Sequence, residues 1–193
     1  GINAASPGHF GYIPGSGLYV SAIADFIAAV TNRYVGLYEA CPGAVKMEHT
    51  VIKWLASLAG YPNTAAGDLT SGGSIANLSA LVAARKAAGL KARDFEHSVV
   101  YLTEQTHHCV EKALRIAGLE ECVKQYIPVD DRFRMRLDVL ETEINRDKTK
   151  KRIPWVIIGN AGTTDTGAID PLNGIADIAE KYNLWFHVDG AYG

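Results

Sequence analysis

The run Trp155-Val156-Ile157-Ile158 constrains this chain most. Four consecutive apolar side chains leave no polar face for water, so a strand made from them has to be covered on both sides. It is not isolated. Ser98-Val99-Val100-Tyr101-Leu102 precedes it, a segment from about Val123 to Pro128 reads as a further strand, and Leu184-Trp185-Phe186-His187-Val188 follows. Helical patterns separate these runs, from about His108 to Ala117 and from about Leu137 to Lys148. A last helix is signalled by Asp170 as cap and Pro171 in the first turn, with Ile175, Ile178, Ala179 and Tyr182 recurring at helical spacing. Strands alternating with helices predict an α/β fold, a mostly parallel sheet with crossover helices.

Before Ser98 the pattern is helical, over about Tyr19–Tyr34, Ala44–Ala59 and Ser74–Ala88. The expected organisation is a helical lead-in over residues 1–60 and an α/β core over 61–193, with no repeat or linker between them. Both ends are abrupt, and a stop at Gly193 directly after a buried-looking strand leaves a sheet edge without a neighbour. The expectation is therefore a piece of a larger domain. With 19 Lys+Arg against 21 Asp+Glu there is no electrostatic case for nucleic acid or an acidic membrane. Cys41, Cys109 and Cys122 lack metal-site or disulfide-framework spacing, which points to a reducing cytoplasm. No apolar stretch reaches the roughly 18 residues of a membrane span, so a soluble protein is expected.

Four segments carry chemistry. Thr70-Ser71-Gly72-Gly73-Ser74 sets glycines and hydroxyls directly before a helix, either a phosphate cradle or an ordinary helix start capped by Ser71 or Ser74. It matches neither GxGxxG nor GxxxxGK[ST], which disfavours a nucleotide-binding protein. His107 and His108 lie in a strand-to-helix loop, where an imidazole can stack on a flat ring or serve as a polar cap. No partner cluster suggests a metal there. The loop Asn160–Asp170 is rich in small hydroxyl residues. Asp189 ends an apolar strand, where ligands gather in open α/β sheets, although a carboxylate there also caps turns. In this order all four fall on one edge of one sheet.

These segments resemble the pyridoxal-5′-phosphate-dependent amino-acid decarboxylases of the aromatic L-amino-acid and glutamate type. The likeness covers nearly the whole chain and is most specific in Thr70–Leu81, His107–Leu119, Gly162–Pro171 and His187–Tyr192. It implies the large domain of fold-type I enzymes, with pyridoxal 5′-phosphate as cofactor. It further implies that Gly73 and Ser74 bind the cofactor phosphate, that His107 stacks on the ring and faces the substrate, and that Thr164 is a cofactor contact. Asp189 would pair with the pyridine nitrogen and Ala191 would lie on the ring face opposite His107, which makes His107 and Asp189 the catalytic pair. The segment Phe10–Gly17 is similar to the family's substrate-side loop, which puts Pro14 and Gly15 toward the substrate; read alone it is a Gly/Pro turn. Some aromatic-specific members carry a larger residue where this chain has Gly15, so an aromatic preference is not carried over.

The implied reaction is loss of the α-carboxylate of an L-amino acid as CO₂, in a homodimer with its site at the subunit interface. The lysine that holds the cofactor covalently in the family would lie beyond Gly193, so the chain alone is expected to be inactive. Three alternatives stay open. They are an aldehyde synthase of the same family, a carbon–carbon lyase acting on a phosphorylated amino alcohol, and a non-catalytic protein of the same fold.

Overall fold

The computed structural model describes residues 3–9, 17–191 and 193. It falls into two compact units, residues 1–69 and 70–193. The first holds α1 (Tyr19–Thr31) and α2 (Pro42–Leu58), with a short 3-10 turn at Tyr38–Ala40 between them. The periodicity expects α1 to run to Tyr34. It stops earlier because Asn32 turns left-handed at φ 41° and returns its N–H to the Ala28 carbonyl, an ending that asparagine tolerates. Pro42 opens α2, where its missing N–H costs nothing.

The second unit contains α3 (Gly73–Ala87), β1 (Ser98–Leu102), α4 (Cys109–Ile116), β2 (Val123–Tyr126), α5 (Leu137–Thr149), β3 (Ile153–Asn160), α6 (Leu172–Tyr182) and β4 (Trp185–Asp189). The four strands form one parallel sheet in the order β2-β1-β3-β4, as the alternation predicts. From β1 the chain steps outward to β2, then crosses back to β3 and outward to β4. The direction therefore reverses between β1 and β3, and the crevice at their carboxyl ends is where such sheets take ligands.

Both faces of the sheet are covered. Val100, Leu102, Val156 and Ile158 pack with Leu81 of α3 and Val110 and Leu114 of α4. Val99, Tyr101 and Ile157 pack with Leu140 and Ile144 of α5 and Ile175 of α6. All five residues of β1 are buried, the property expected of a central parallel strand. Trp155 and Val156 both face the α3/α4 side because the β1–β3 register slips between Val99 and Val100. A bulge of this kind turns two consecutive side chains toward one layer. Each large side chain in these clusters contributes on the order of 2–5 kcal/mol by the cost of trimming it to alanine.

Asp170 does not cap α6. Pro171 is the N-cap residue and no side chain caps the helix. The Asp170 carboxylate instead accepts from the Met135 N–H at 2.7 Å, the Asn160 N–H at 2.8 Å and the Asn160 side-chain amide at 2.9 Å. Three donors held in the interior outcompete the frayed donors of a helix end. Among the described residues no helix is long and apolar enough to cross a membrane.

Candidate active site at the carboxyl edge of the sheet

The start of α3 is set by Gly72. Its φ of 153° with ψ of 170° lies in a region that a Cβ all but forbids, so the turn depends on glycine. The Gly72 carbonyl takes the first helical bonds, from the Ile75 and Ala76 N–H groups, and one from the Thr70 hydroxyl. Neither Ser71 nor Ser74 caps the helix; among the described residues no side chain does. The N–H groups of Gly73 and Ser74 thus stand at an exposed helix N-terminus carrying the positive end of the helix dipole. A Cβ built on Gly73 would lie 3.7 Å from the Ala191 Cβ, which brings this helix start against the chain that follows β4.

Asp189, the last residue of β4, is half-buried. One carboxylate oxygen accepts from the Ala191 N–H at 3.1 Å and the other from the Asn77 side-chain amide at 3.3 Å. Asn77 is itself buried, on α3 one turn after Gly73, and its amide also donates to the Gly73 carbonyl at 3.0 Å. The Asn77 side-chain oxygen meets His187 Nε2 at 2.6 Å. Burial pushes the His187 pKa down, with the Asp189 charge opposing that, so the ring tends to be neutral. Cys109 Sγ lies 3.5 Å from the same amide nitrogen. Burial first, then the charge of Asp189, pushes its thiol up and keeps it protonated.

His107 is half-buried in the loop between β1 and α4, and its Nδ1 accepts the Cys109 N–H at 3.3 Å, which leaves Nε2 to carry the proton of a neutral ring. The exposed His108 ring lies 4.1 Å away, centroid to centroid, tilted by 42°. Two polar atoms of this loop, Thr103 Oγ1 and Gln105 Oε1, are buried without a hydrogen-bond partner among the described residues. Unpaired buried polar atoms are uncommon in folded proteins.

In the loop after β3, the hydroxyls of Thr163 and Thr166 are 2.7 Å apart and hold each other, and Thr163 also accepts the Ala168 N–H. Thr164 is exposed at the turn and joins none of these bonds. The structure therefore bonds Ala191 to Asp189, links Gly73 to Asp189 through Asn77, brings Gly73 near Ala191, and seats His107 and Thr164 on the two loops that leave β1 and β3. Pro14 and Gly15 lie outside the described residues. Sequence reasoning passed over Asn77, His187, Thr103 and Gln105. Asn77 was the findable one, since it is a polar residue on the buried face of an otherwise apolar helix stripe.

A phosphorylated, flat, nitrogen-bearing aromatic fits this donor set. The uncapped helix start suits its anion, and the half-buried carboxylate suits a ring cation. The fold and this edge are compatible with the pyridoxal-phosphate class of proteins. The chain belongs to the pyridoxal-dependent decarboxylase family, whose conserved-domain profile matches residues 1–193. It is 40% identical over 187 residues to an aromatic-L-amino-acid decarboxylase of Bacillus atrophaeus, covering 97% of this chain and 38% of that protein. It is 38% identical over 170 residues to an L-2,4-diaminobutyrate decarboxylase of Rhizobium meliloti (strain 1021), covering 88% and 34%. The structure of Oryza sativa TDC with PLP and tryptamine superposes with a TM-score of 0.86 at 28% identity, over 94% of this chain and 40% of that one. The chain thus spans well under half the length of these relatives.

Proposed function

We propose that this chain is the cofactor-binding core of an L-amino-acid decarboxylase, with residues 61–193 as the α/β core and 1–60 as its helical lead-in. One observation carries the reading: Asn77 joins an uncapped helix N-terminus to a half-buried carboxylate, so an anion site and a cation site share one sheet edge. Gly73 and Ser74 hold the cofactor phosphate through backbone N–H groups. Asp189 pairs with the pyridine nitrogen and keeps it protonated. His107 would stack on the ring and face the substrate, Ala191 would lie on the opposite side, and Thr164 would be a further contact. Bound pyridoxal phosphate supplies the electron sink for the pair left behind when the Cα–carboxylate bond breaks. The protein's part is to orient that bond and to hold the ring cationic.

The same reading places the enzyme in the cytoplasm as a homodimer with its active site at the interface. Support for a partner comes from α1 and α2, which contain no buried residue and expose Tyr19, Phe26 and Trp54, with 84%, 68% and 61% of their surfaces free. Apolar side chains in that number on one region are typical of a surface buried against further protein.

The test is product analysis with the purified holoenzyme. Offered aromatic, diamino and acidic L-amino acids, it should release CO₂ and amine in equal amounts from one of these classes. Aldehyde in place of amine would move the assignment to an aldehyde synthase. A protein that takes up no pyridoxal phosphate would overturn the proposal.

A further inference from the structure

The carboxylate assigned to the ring nitrogen is not held by its own strand alone. The carboxamide of Asn77 has two N–H groups, and three acceptors surround its nitrogen: the Gly73 carbonyl at 3.0 Å, Asp189 Oδ2 at 3.3 Å and Cys109 Sγ at 3.5 Å. A thiol sulfur is a weak acceptor, so the two hydrogens go to the carbonyl and the carboxylate. Neither of those can donate, which fixes the amide with its nitrogen toward them and its oxygen toward His187. That oxygen can only accept, so the proton in the 2.6 Å contact sits on His187 Nε2. The buried side chain is thereby clamped on three sides, by the helix start, by the strand end and by a ring two residues before Asp189.

We infer that Asn77 is a positioning residue: it couples the Gly73–Ser74 anion cradle to Asp189, so that the distance from phosphate site to ring-nitrogen site is set by one carboxamide. The inference rests on the function proposed above and deepens it. A cofactor held at one end by its phosphate and at the other by a carboxylate needs those two groups at a fixed separation. They lie on different elements, α3 and β4, and Asn77 is the one side chain among the described residues that hydrogen-bonds to both. His187 serves as the counter-clamp that keeps the amide from rotating. If Asn77 is lost, Asp189 keeps only the Ala191 N–H and can swing away from the ring position.

The inference is tested on the holoenzyme by the absorption spectrum of bound pyridoxal phosphate without substrate, which reports the state of the ring nitrogen, and by the rate of cofactor loss on dialysis. Asn77→Ala should shift the spectrum in the same direction as Asp189→Asn and speed cofactor loss about tenfold, the equivalent of one hydrogen bond to a charged group. In an Asp189→Asn background the same substitution should add little, because its effect runs through Asp189. The isosteric Asn77→Asp, which keeps the volume and loses the donors, should not restore the wild-type spectrum. If Asn77→Ala does not fold, His187→Phe frees the amide to rotate and should give a smaller spectral shift of the same sign. An unshifted spectrum with a lowered melting temperature, or effects of Asn77→Ala and Asp189→Asn that simply multiply, would overturn the inference and leave the proposed function standing. A wild-type protein that shows no cofactor band overturns the proposed function, and the inference with it.

Discussion

Asp170 and Asp189 close the loops and strand ends of neighbouring strands, β3 and β4, yet their surroundings are opposite. Asp170 is 4% exposed and accepts three bonds between 2.7 and 2.9 Å, from Met135 and from both amides of Asn160. Asp189 is half-buried and accepts two, at 3.1 and 3.3 Å. A carboxylate whose lone pairs are filled by backbone donors serves as a staple. One with longer bonds and an open side still has capacity for a charged partner. The same residue type on one sheet edge is thus structural in one place and available for chemistry in the other.

The sharpest way to break that contrast is Asp189→Ala. Turnover of the holoenzyme should fall about 10³-fold, or ~4 kcal/mol of transition-state stabilisation, while the melting temperature falls by only about 2–4 °C for the one buried donor, on Asn77, left unpaired. Steady-state rates beside a thermal melt would decide it, and a variant that unfolds but retains its turnover per folded molecule would make Asp189 a staple as well. Asp170→Ala should do the reverse. It strands three buried donors at about 1 kcal/mol each or more, so stability should fall by about 3 kcal/mol, or roughly 6–12 °C, with cofactor uptake kept by the folded fraction. Calorimetry with cofactor titration reads both quantities.

A third carboxylate calibrates the structural end of the scale. Asp147 is 1% exposed and accepts the Tyr101 hydroxyl at 2.9 Å and the Arg152 guanidinium at 2.9 Å. Burial, and next the bond to Asp147, pushes the Tyr101 phenol far above its ordinary range, so it remains a donor. Tyr101→Phe removes one bond and leaves the ion pair, which predicts a loss of about 1–2 kcal/mol in urea unfolding. A loss as large as that of Asp170→Ala would show that saturation does not rank these sites.

The contrast also explains what was legible in the sequence. The sheet was, because Val99–Leu102 and Trp155–Ile158 admit no other environment than one covered on both faces. Element ends were less so, since they turn on single residues. Asn32 ends α1 by going left-handed, and β2 stops at Tyr126 before Pro128, which has no N–H to give the ladder. Asp170 read as a helix cap from its place before Pro171, whereas its true partners, Asn160 and Met135, lie 10 and 35 residues away. Of the site, the glycine turn before α3 and the strand-end Asp189 were visible as local patterns. The link between them was not, because Asn77 meets Asp189 across 112 residues and no spacing rule encodes that meeting.

The smallest expected effect is the pH dependence that His187 contributes. Burial lowers its pKa in the folded chain below the ordinary 6.5, and the nearby Asp189 charge only partly offsets this. The unfolded chain therefore binds more protons than the folded one in the window between the two values, and stability rises with pH across it. The contribution is complete above about 6.5 and is lost as pH falls through the window toward the folded value. His187→Gln keeps an N–H that can donate to the Asn77 oxygen but does not titrate. Its melting temperature should decline less than that of the wild type between neutral pH and mild acid. Equal slopes would mean that the folded protein protonates His187 as readily as the unfolded chain does. The clamp on Asn77 would then carry a charged ring beside Asp189, and the open carboxylate would already be partnered from within.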